Sequence, residues 1–176
     1  MPRYPVDLLP VAPKKMVYFM EVYVDGGCRR NGRPDSPGAA AAVFKNRRGR
    51  HKTWIRYLPP YPPATNQRAE ITAIIVALEQ ILEKYDELFF YLRLKVKLYS
   101  DSRYAIGCMT EWIYNWTQNG WKNAAGYRVA NRDLIEEASY LHDIVTDLGD
   151  IEYIWIPRSE NWEADEACNE AMDNMY

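Results

Sequence analysis

Four carboxylates stand out of step with their neighbours. Asp25 closes the apolar run from Val17 to Val24 and is followed by Gly26-Gly27. Asp101 follows the alternating stretch "LRLKVKLYS" (92–100). Glu70 lies early in a helical pattern with Ile74, on the apolar stripe, at i+4, so it leans inward. Asp165 has Cys168 and Met172 at i+3 and i+7 and leans inward in the same way. If Asp25 and Asp101 end adjacent parallel strands, both reach one sheet edge, where α/β sheets bind ligands. Two carboxylates about 4 Å apart repel by roughly 4 kcal/mol at an effective dielectric near 20, so such a cluster calls for cations. Oxygen-only donors suit Mg²⁺ or Mn²⁺. Two such ions about 3.5–4 Å apart serve in-line attack at a phosphodiester. A plainer account competes: the chain has 24 acidic residues. Each of the four, taken alone, reads as a cap, turn or surface acid, and Asp25-Gly26-Gly27 reads easily as a turn. Only their convergence favours a site.

The elements that would bring them together follow from periodicity. Val17–Val24, apolar on both faces, reads as a central strand buried on both sides. "GAAAAVFK" (38–45) and "HKTWIRYL" (51–58) read as two more strands, with the basic stretch "KNRRGRHK" (45–52) as the turn between them. Ile71, Ile74, Ile75, Leu78, Leu82 and Tyr85 form one helical stripe, with Thr65 or Asn66 as its N-cap. A fourth strand (92–100) precedes short helices over 101–109 and 110–116, and a longer one follows over 131–145. A fifth strand (151–157) and a last helix (159–172) complete the order β-β-β-α-β-α-α-α-β-α. That order implies an α/β fold with a five-stranded mixed sheet flanked by helices. Residues 1–16, with four prolines, read as an irregular arm before one domain over 17–176.

Composition narrows the classes. The 176 residues are 48% apolar, enough for one cored domain. A net charge of −2 supplies no chain-wide basic field, which by itself argues against a nucleic-acid partner; bound cations would remove that objection. Three widely spaced cysteines spell no zinc motif and suit a reducing compartment. No stretch has the length and apolarity of a membrane span or the pattern of a signal peptide. The expectation is a soluble intracellular protein, cytoplasmic or nuclear.

Five stretches, in order, resemble the type 1 ribonuclease H family: "YVDGGCRRNG" (23–32), "TNQRAEITAIIVALE" (65–79), "LYSDSRYAIGCM" (98–109), "WIYNWTQNGWKNAAGYRVANRDL" (112–134) and "NWEADEACNEA" (161–171). The resemblance implies the ribonuclease H-like fold and an endonuclease acting on the RNA strand of RNA–DNA hybrids. It further implies two Mg²⁺ ions, with Mn²⁺ possible, and 5′-phosphate and 3′-hydroxyl ends. The family's catalytic, metal-binding carboxylates fall on Asp25, Glu70, Asp101 and Asp165. Cys28 and Asn31 match positions facing the RNA minor groove, and Asn66 and Gln67 match the pair that reads 2′-hydroxyls. Thr65 and Asn131 match part of a pocket for a DNA phosphate. Trp112, Trp116 and Tyr104 match aromatics along the DNA strand, and Lys122 matches a cation of the substrate-binding handle. A monomer is expected. Thr65 and Asn66 also read as a plain N-cap, Trp112 and Trp116 as helix packing, and Cys28 as a small buried residue.

The chain departs from the family's pattern in three places. Arg158 stands near where a loop histidine is usual, while His51 and His142 read as surface residues. Arg158 is expected either to hold the scissile or product phosphate, aiding product release, or merely to pair with Glu160 or Glu163. Thr117, Gln118 and Asn119 make the handle less basic, which predicts weaker hybrid affinity and a shallower salt dependence. Pro63 replaces an arginine of the phosphate pocket, which puts that pocket in doubt. Three other readings compete: a non-catalytic nucleic-acid-binding protein that keeps the fold, an exonuclease on a related fold, and a domain derived from a mobile element.

Overall fold

The structure is a computed structural model; it describes residues 16–88 and 92–175. The arm expected over 1–16 lies outside the described residues except for Met16. Five strands, β1 (Val17–Cys28), β2 (Gly38–Lys45), β3 (His51–Tyr57), β4 (Arg93–Ser100) and β5 (Gly149–Trp155), form one sheet in the order β3-β2-β1-β4-β5. β1 pairs antiparallel with β2 and parallel with β4, and β4 pairs parallel with β5. The sheet is therefore mixed, as the element order requires. Helix α1 (Asn66–Asp86) and helix α4 (Arg132–Leu148) cover one face, and α5 (Trp162–Asp173) packs on β1 and β2 from the other. No helix among the described residues is long and apolar enough to cross a membrane.

The α1 stripe forms the core. Ile71, Ile74, Ile75, Leu78 and Ile81 are fully buried with Val22 and Val24 of β1 and Leu94, Val96 and Leu98 of β4. Each such side chain contributes about 1.5–3 kcal/mol by leaving water. Thr65 is the N-cap, its hydroxyl accepting from the Arg68 amide at 3.1 Å. A smaller cluster of Ala39, Ala41, Cys168, Ala171 and Met172 lies under α5.

Several boundaries differ from expectation. β1 runs on through Gly26 and Gly27, which pair with Ala40 and Ala39, so the glycines make no turn. β1 is central, yet Val17, Phe19 and Glu21 are exposed, because α5 covers only the end of that face nearer Asp25. β5 starts two residues earlier than expected, at Gly149, where a Cβ would stand 2.0 Å from the Leu94 carbonyl oxygen. Only a residue without a Cβ lets the two strands meet there. The last helix splits into a 3-10 turn (Arg158–Glu160) and α5, because Asn161 leaves helical geometry between them. Between α2 (Arg103–Gly107) and α3 (Ile113–Asn119), residues Cys108–Trp112 form a π turn, which folds the Trp112 ring over Gly107. His142 is half-buried rather than on the surface, with Nδ1 3.0 Å from the Tyr153 hydroxyl.

Candidate active site

In the parallel ladder Val24 is level with Ser100, so the next residues, Asp25 and Asp101, emerge side by side at the carboxyl ends of β1 and β4. Glu70 joins them because α1 lies almost on β1. A Cβ on Gly26 would sit 2.1 Å from the Ala69 carbonyl carbon and 2.3 Å from the Glu70 nitrogen. The glycine is what permits this approach. One carboxylate oxygen from each of Asp25, Glu70 and Asp101 lies within 4.8 Å of the others.

The cluster is electrostatically unfavourable as it stands. Burial, with Asp101 and Asp165 nearby, pushes Asp25 up to about 7; the Arg158 charge and the Gly26 amide oppose the rise. Burial, with Asp25 and Asp101, pushes Glu70 up to about 9. Glu70 Oε2 is buried with no hydrogen-bond partner among the described residues. An orphaned oxygen beside two more carboxylates is a donor set that fits a hard divalent cation.

Asp165, the fourth acid, is not within that triad. Its Oδ1 accepts from the Arg158 guanidinium, so Arg158 pairs with neither Glu160 nor Glu163. Glu163 pairs instead with Lys45 at 2.5 Å. Asn161, a residue sequence patterning missed, links the two halves of the site. It is 1% exposed, and its Nδ2 donates to the Val24 carbonyl at 2.9 Å and to Asp101 Oδ1 at 3.1 Å. Its main-chain carbonyl accepts from the Asp165 amide at 3.1 Å. The signal was a small amide four residues before an inward-leaning acid.

The expected substrate contacts form two groups and an outlier. Asn66 accepts from the Cys28 amide at 2.9 Å, and its own amide donates to Asn31 Oδ1 at 2.8 Å. Cys28, Asn31 and Asn66 are thus one network, which Gln67 flanks, exposed, on the first turn of α1. The Cys28 thiol donates to the Ala64 carbonyl at 3.1 Å. The second group runs from α1 to α4. Arg68, missed from sequence, binds Asp133 through both terminal nitrogens, at 3.0 and 2.7 Å, and reaches Asn131 Oδ1 at 3.4 Å. Asn131 Nδ2 donates to the Tyr104 hydroxyl at 3.1 Å. Thr65 meets this group only through its cap to Arg68. Tyr104, Trp112, Trp116 and Trp121 continue it as a chain of rings with centroids 5.9–6.1 Å apart. Trp112 and Trp116 are half-buried in that chain, so packing and an exposed ring edge coexist. Lys122 stands apart, exposed on the loop after α3, its amide held by Asn119 Oδ1 at 3.0 Å.

Comparison with known proteins gives one answer. The RNase H family model matches residues 18–173. The Ribonuclease H of Hydrogenovibrio crunogenus is 32% identical over 166 residues, spanning 89% of this chain and 97% of that protein. The crystal structure of LC9-RNase H1, described as a type 1 RNase H with the type 2 active-site motif, superposes with a TM-score of 0.68 at 25% identity. It covers 90% of this chain and 74% of that one. The foamy viral protease-reverse transcriptase in complex with RNA/DNA hybrid shares the fold, with a TM-score of 0.68 at 17% identity over 99% of this chain and 22% of that chain. Likeness in sequence and in fold runs along nearly the whole described chain, which belongs to the ribonuclease H family as an enzyme of the type 1 kind.

Proposed function

We infer that this ribonuclease H cuts the RNA strand of RNA–DNA hybrids internally, as a monomer, leaving 5′-phosphate and 3′-hydroxyl ends. The observation that carries this reading is the meeting of Asp25, Glu70 and Asp101 within 4.8 Å, with Asp25 and Glu70 poised against their own charge. Those three residues and Asp165 would hold two divalent cations, Mg²⁺ or Mn²⁺. When bound, the cations supply a nucleophile at neutral pH and stabilise the leaving oxygen. Asn161 keeps Asp101 aimed at the triad, and the Gly26 amide favours the ionised Glu70 carboxylate. Asn66 and Gln67 are placed beside Glu70 to meet 2′-hydroxyls, the groups that distinguish RNA from DNA. Arg68, Asn131 and Tyr104, with the ring chain behind them, form the side that receives the DNA strand.

Arg158 has a further role in this reading. Its guanidinium donates to Asp165; were Asp165 to ligate a cation, the guanidinium would be free to take the scissile or product phosphate. Arg158→Ala is expected to lower kcat by roughly tenfold, about 1.4 kcal/mol of barrier, with the urea midpoint unchanged because the arginine is mostly exposed. Unchanged turnover would reduce Arg158 to an ion-pair partner. Asn161→Ala is expected to weaken metal binding by about tenfold, through loss of the Asp101 tether. Calorimetric titration with Mg²⁺ measures it, and an unaltered affinity would make Asn161 a purely structural residue.

One gel tests the reading as a whole. Labelled hybrid, RNA duplex and single strands are incubated with Mg²⁺ and with chelator, alongside Asp101→Asn. Internal cuts confined to hybrid RNA, absent with chelator and in the variant, are expected. Equal cutting of all substrates would end the proposal.

A further inference from the structure

The basic stretch 45–52 takes no part in the acid site. It forms the turn between β2 and β3, where Lys45 pairs with His51. Asn46 fixes that turn. Its amide donates to the Arg50 carbonyl at 2.9 Å, and its Oδ1 accepts from the amides of Arg48 and Arg50 at 2.9 and 3.1 Å. Arg47, Arg48 and Arg50 are exposed on this ordered tip.

Beside the tip lies the half of β1 that α5 leaves bare. Phe19 is 53% exposed there, with Arg47 and Lys95 each 5.8 Å from its ring centroid. Lys52 sits 4.3 Å over the Trp54 ring. A groove of about 1060 Å³ is bounded by these residues. Among the described residues, Arg47, Arg48, Arg50, Lys52 and Lys95 have no ion-pair partner. Of the acids in the groove, Glu87 is already held by Lys84, leaving Glu21 and Glu83. In a chain of net charge −2, Arg47 and Lys95 at the exposed Phe19 ring, Arg48 and Arg50 on the adjoining tip and Lys52 over Trp54 on the other face of the sheet outnumber these two acids and reverse the sign of the local field.

Phe19 precedes Asp25 by six residues on β1, about 20 Å along the strand. The patch therefore sits at the far end of the sheet from the acids, out of reach of the same few base pairs. A flexible single strand can span that distance. A π-face flanked by cations is how proteins hold single strands without reading sequence. The inference rests on the hydrolysis reading at one point: the strand that survives cleavage, and so persists unpaired, is DNA. We propose that the β2–β3 turn and the bare half of β1 form a second nucleic-acid surface, which holds single-stranded DNA flanking the hybrid.

The test uses the full chain, chelator, and fluorescent oligo-dT of about twenty nucleotides, longer than one such site. Arg47→Ala/Arg48→Ala/Arg50→Ala/Lys95→Ala should weaken oligo-dT binding by about tenfold or more and flatten the log–log salt slope by about 3. Phe19→Ala should weaken it by about fivefold or more with the slope intact. Circular dichroism checks that both variants fold. Both should cut blunt hybrid with Mg²⁺ at the wild-type rate, while losing the lower KM that a DNA tail confers on the wild type. Unchanged oligo-dT affinity and slope in the fourfold variant overturns the proposal, and so does an equal loss on blunt hybrid. Wild-type chain that binds oligo-dT here but leaves hybrids intact would remove the hydrolysis reading and keep the surface. Hybrids cut normally, with oligo-dT binding indifferent to the variants, would remove the surface alone.

Discussion

Asp25→Asn is expected to remove hybrid cleavage, by on the order of a thousandfold, while stabilising the metal-free protein. The two effects share one cause. Asp25 is 6% exposed and faces Asp101 and Glu70, so its charge is useful to a cation and harmful without one. Burial, with Asp101 and Asp165, raises it from 3.8 to about 7, and burial, with Asp25 and Asp101, raises Glu70 from 4.5 to about 9. A carboxyl raised in the folded state binds more protons there than in the unfolded chain. Stability therefore falls as pH rises between the two values. The contribution of Asp25 is fully present below about pH 4 and is lost as pH passes 7; that of Glu70 is lost toward pH 9. In chelator the wild-type protein should lose stability between pH 5 and pH 9. Asp25→Asn should lose less, because one charge is gone and Glu70 is relieved of its largest neighbour charge. At pH 8 the variant should be more stable by on the order of 2 kcal/mol. Mg²⁺ should raise the wild-type Tm and leave the variant nearly unmoved. Thermal scans at two pH values with and without Mg²⁺ measure all of this. A variant no more stable than wild type in chelator at pH 8 would mean that the three acids do not share one buried space.

Gly26→Ala should prevent stable folding. Its Cβ would meet main-chain atoms of Ala69 and Glu70 at 2.1–2.3 Å, and no rotamer change relieves a clash with backbone. α1 must lift from β1, against the interlocked Ile71, Ile74 and Val24 core. The expected loss is about 4 kcal/mol or more, the range reserved for severe steric faults. Gly49→Ala makes the control: nothing lies within 4 Å, and its φ of +74° accounts for a loss of only about 1–2 kcal/mol. Urea midpoints of the two variants measure the contrast. A well-folded Gly26→Ala protein would show that α1 is not pinned to the strand, and with it Glu70 would lose its fixed position.

The sequence carried the acids because each was a charge in a pattern that should have been apolar or solvated. Asp25 and Asp101 stand where strand patterns end, and Glu70 and Asp165 lean toward stripes that the structure buries at Ile74 and Cys168. It was ambiguous where one local pattern has two physical causes. A glycine pair after an acid marks a turn as readily as a close approach, and only α1 lying on Gly26 decides between them. A strand apolar on both faces reads as doubly buried, but the reach of α5, set by tertiary packing, leaves Phe19 in solvent. Asn161 and Arg68 stayed hidden because their partners, Asp101 and Asp133, are 60 and 65 residues away. Arg158 has Glu160 and Glu163 as local acids in the sequence, while the oxygen it meets, on Asp165, lies two residues past Glu163.

The side-by-side ladder of β1 and β4 has a consequence for how this enzyme can vary. Neighbouring chains in a sheet can slide only in whole residues, about 3.3 Å each, and every odd slip turns a side chain to the opposite face. The gap between Asp25 and Asp101 is therefore quantised: one rung is right, and the next rungs are wrong by more than a cation's radius. Insertions can accumulate in the β2–β3 turn or in the loop around Lys122 without touching that gap. A single added residue within β1 would cost the whole catalytic geometry at once.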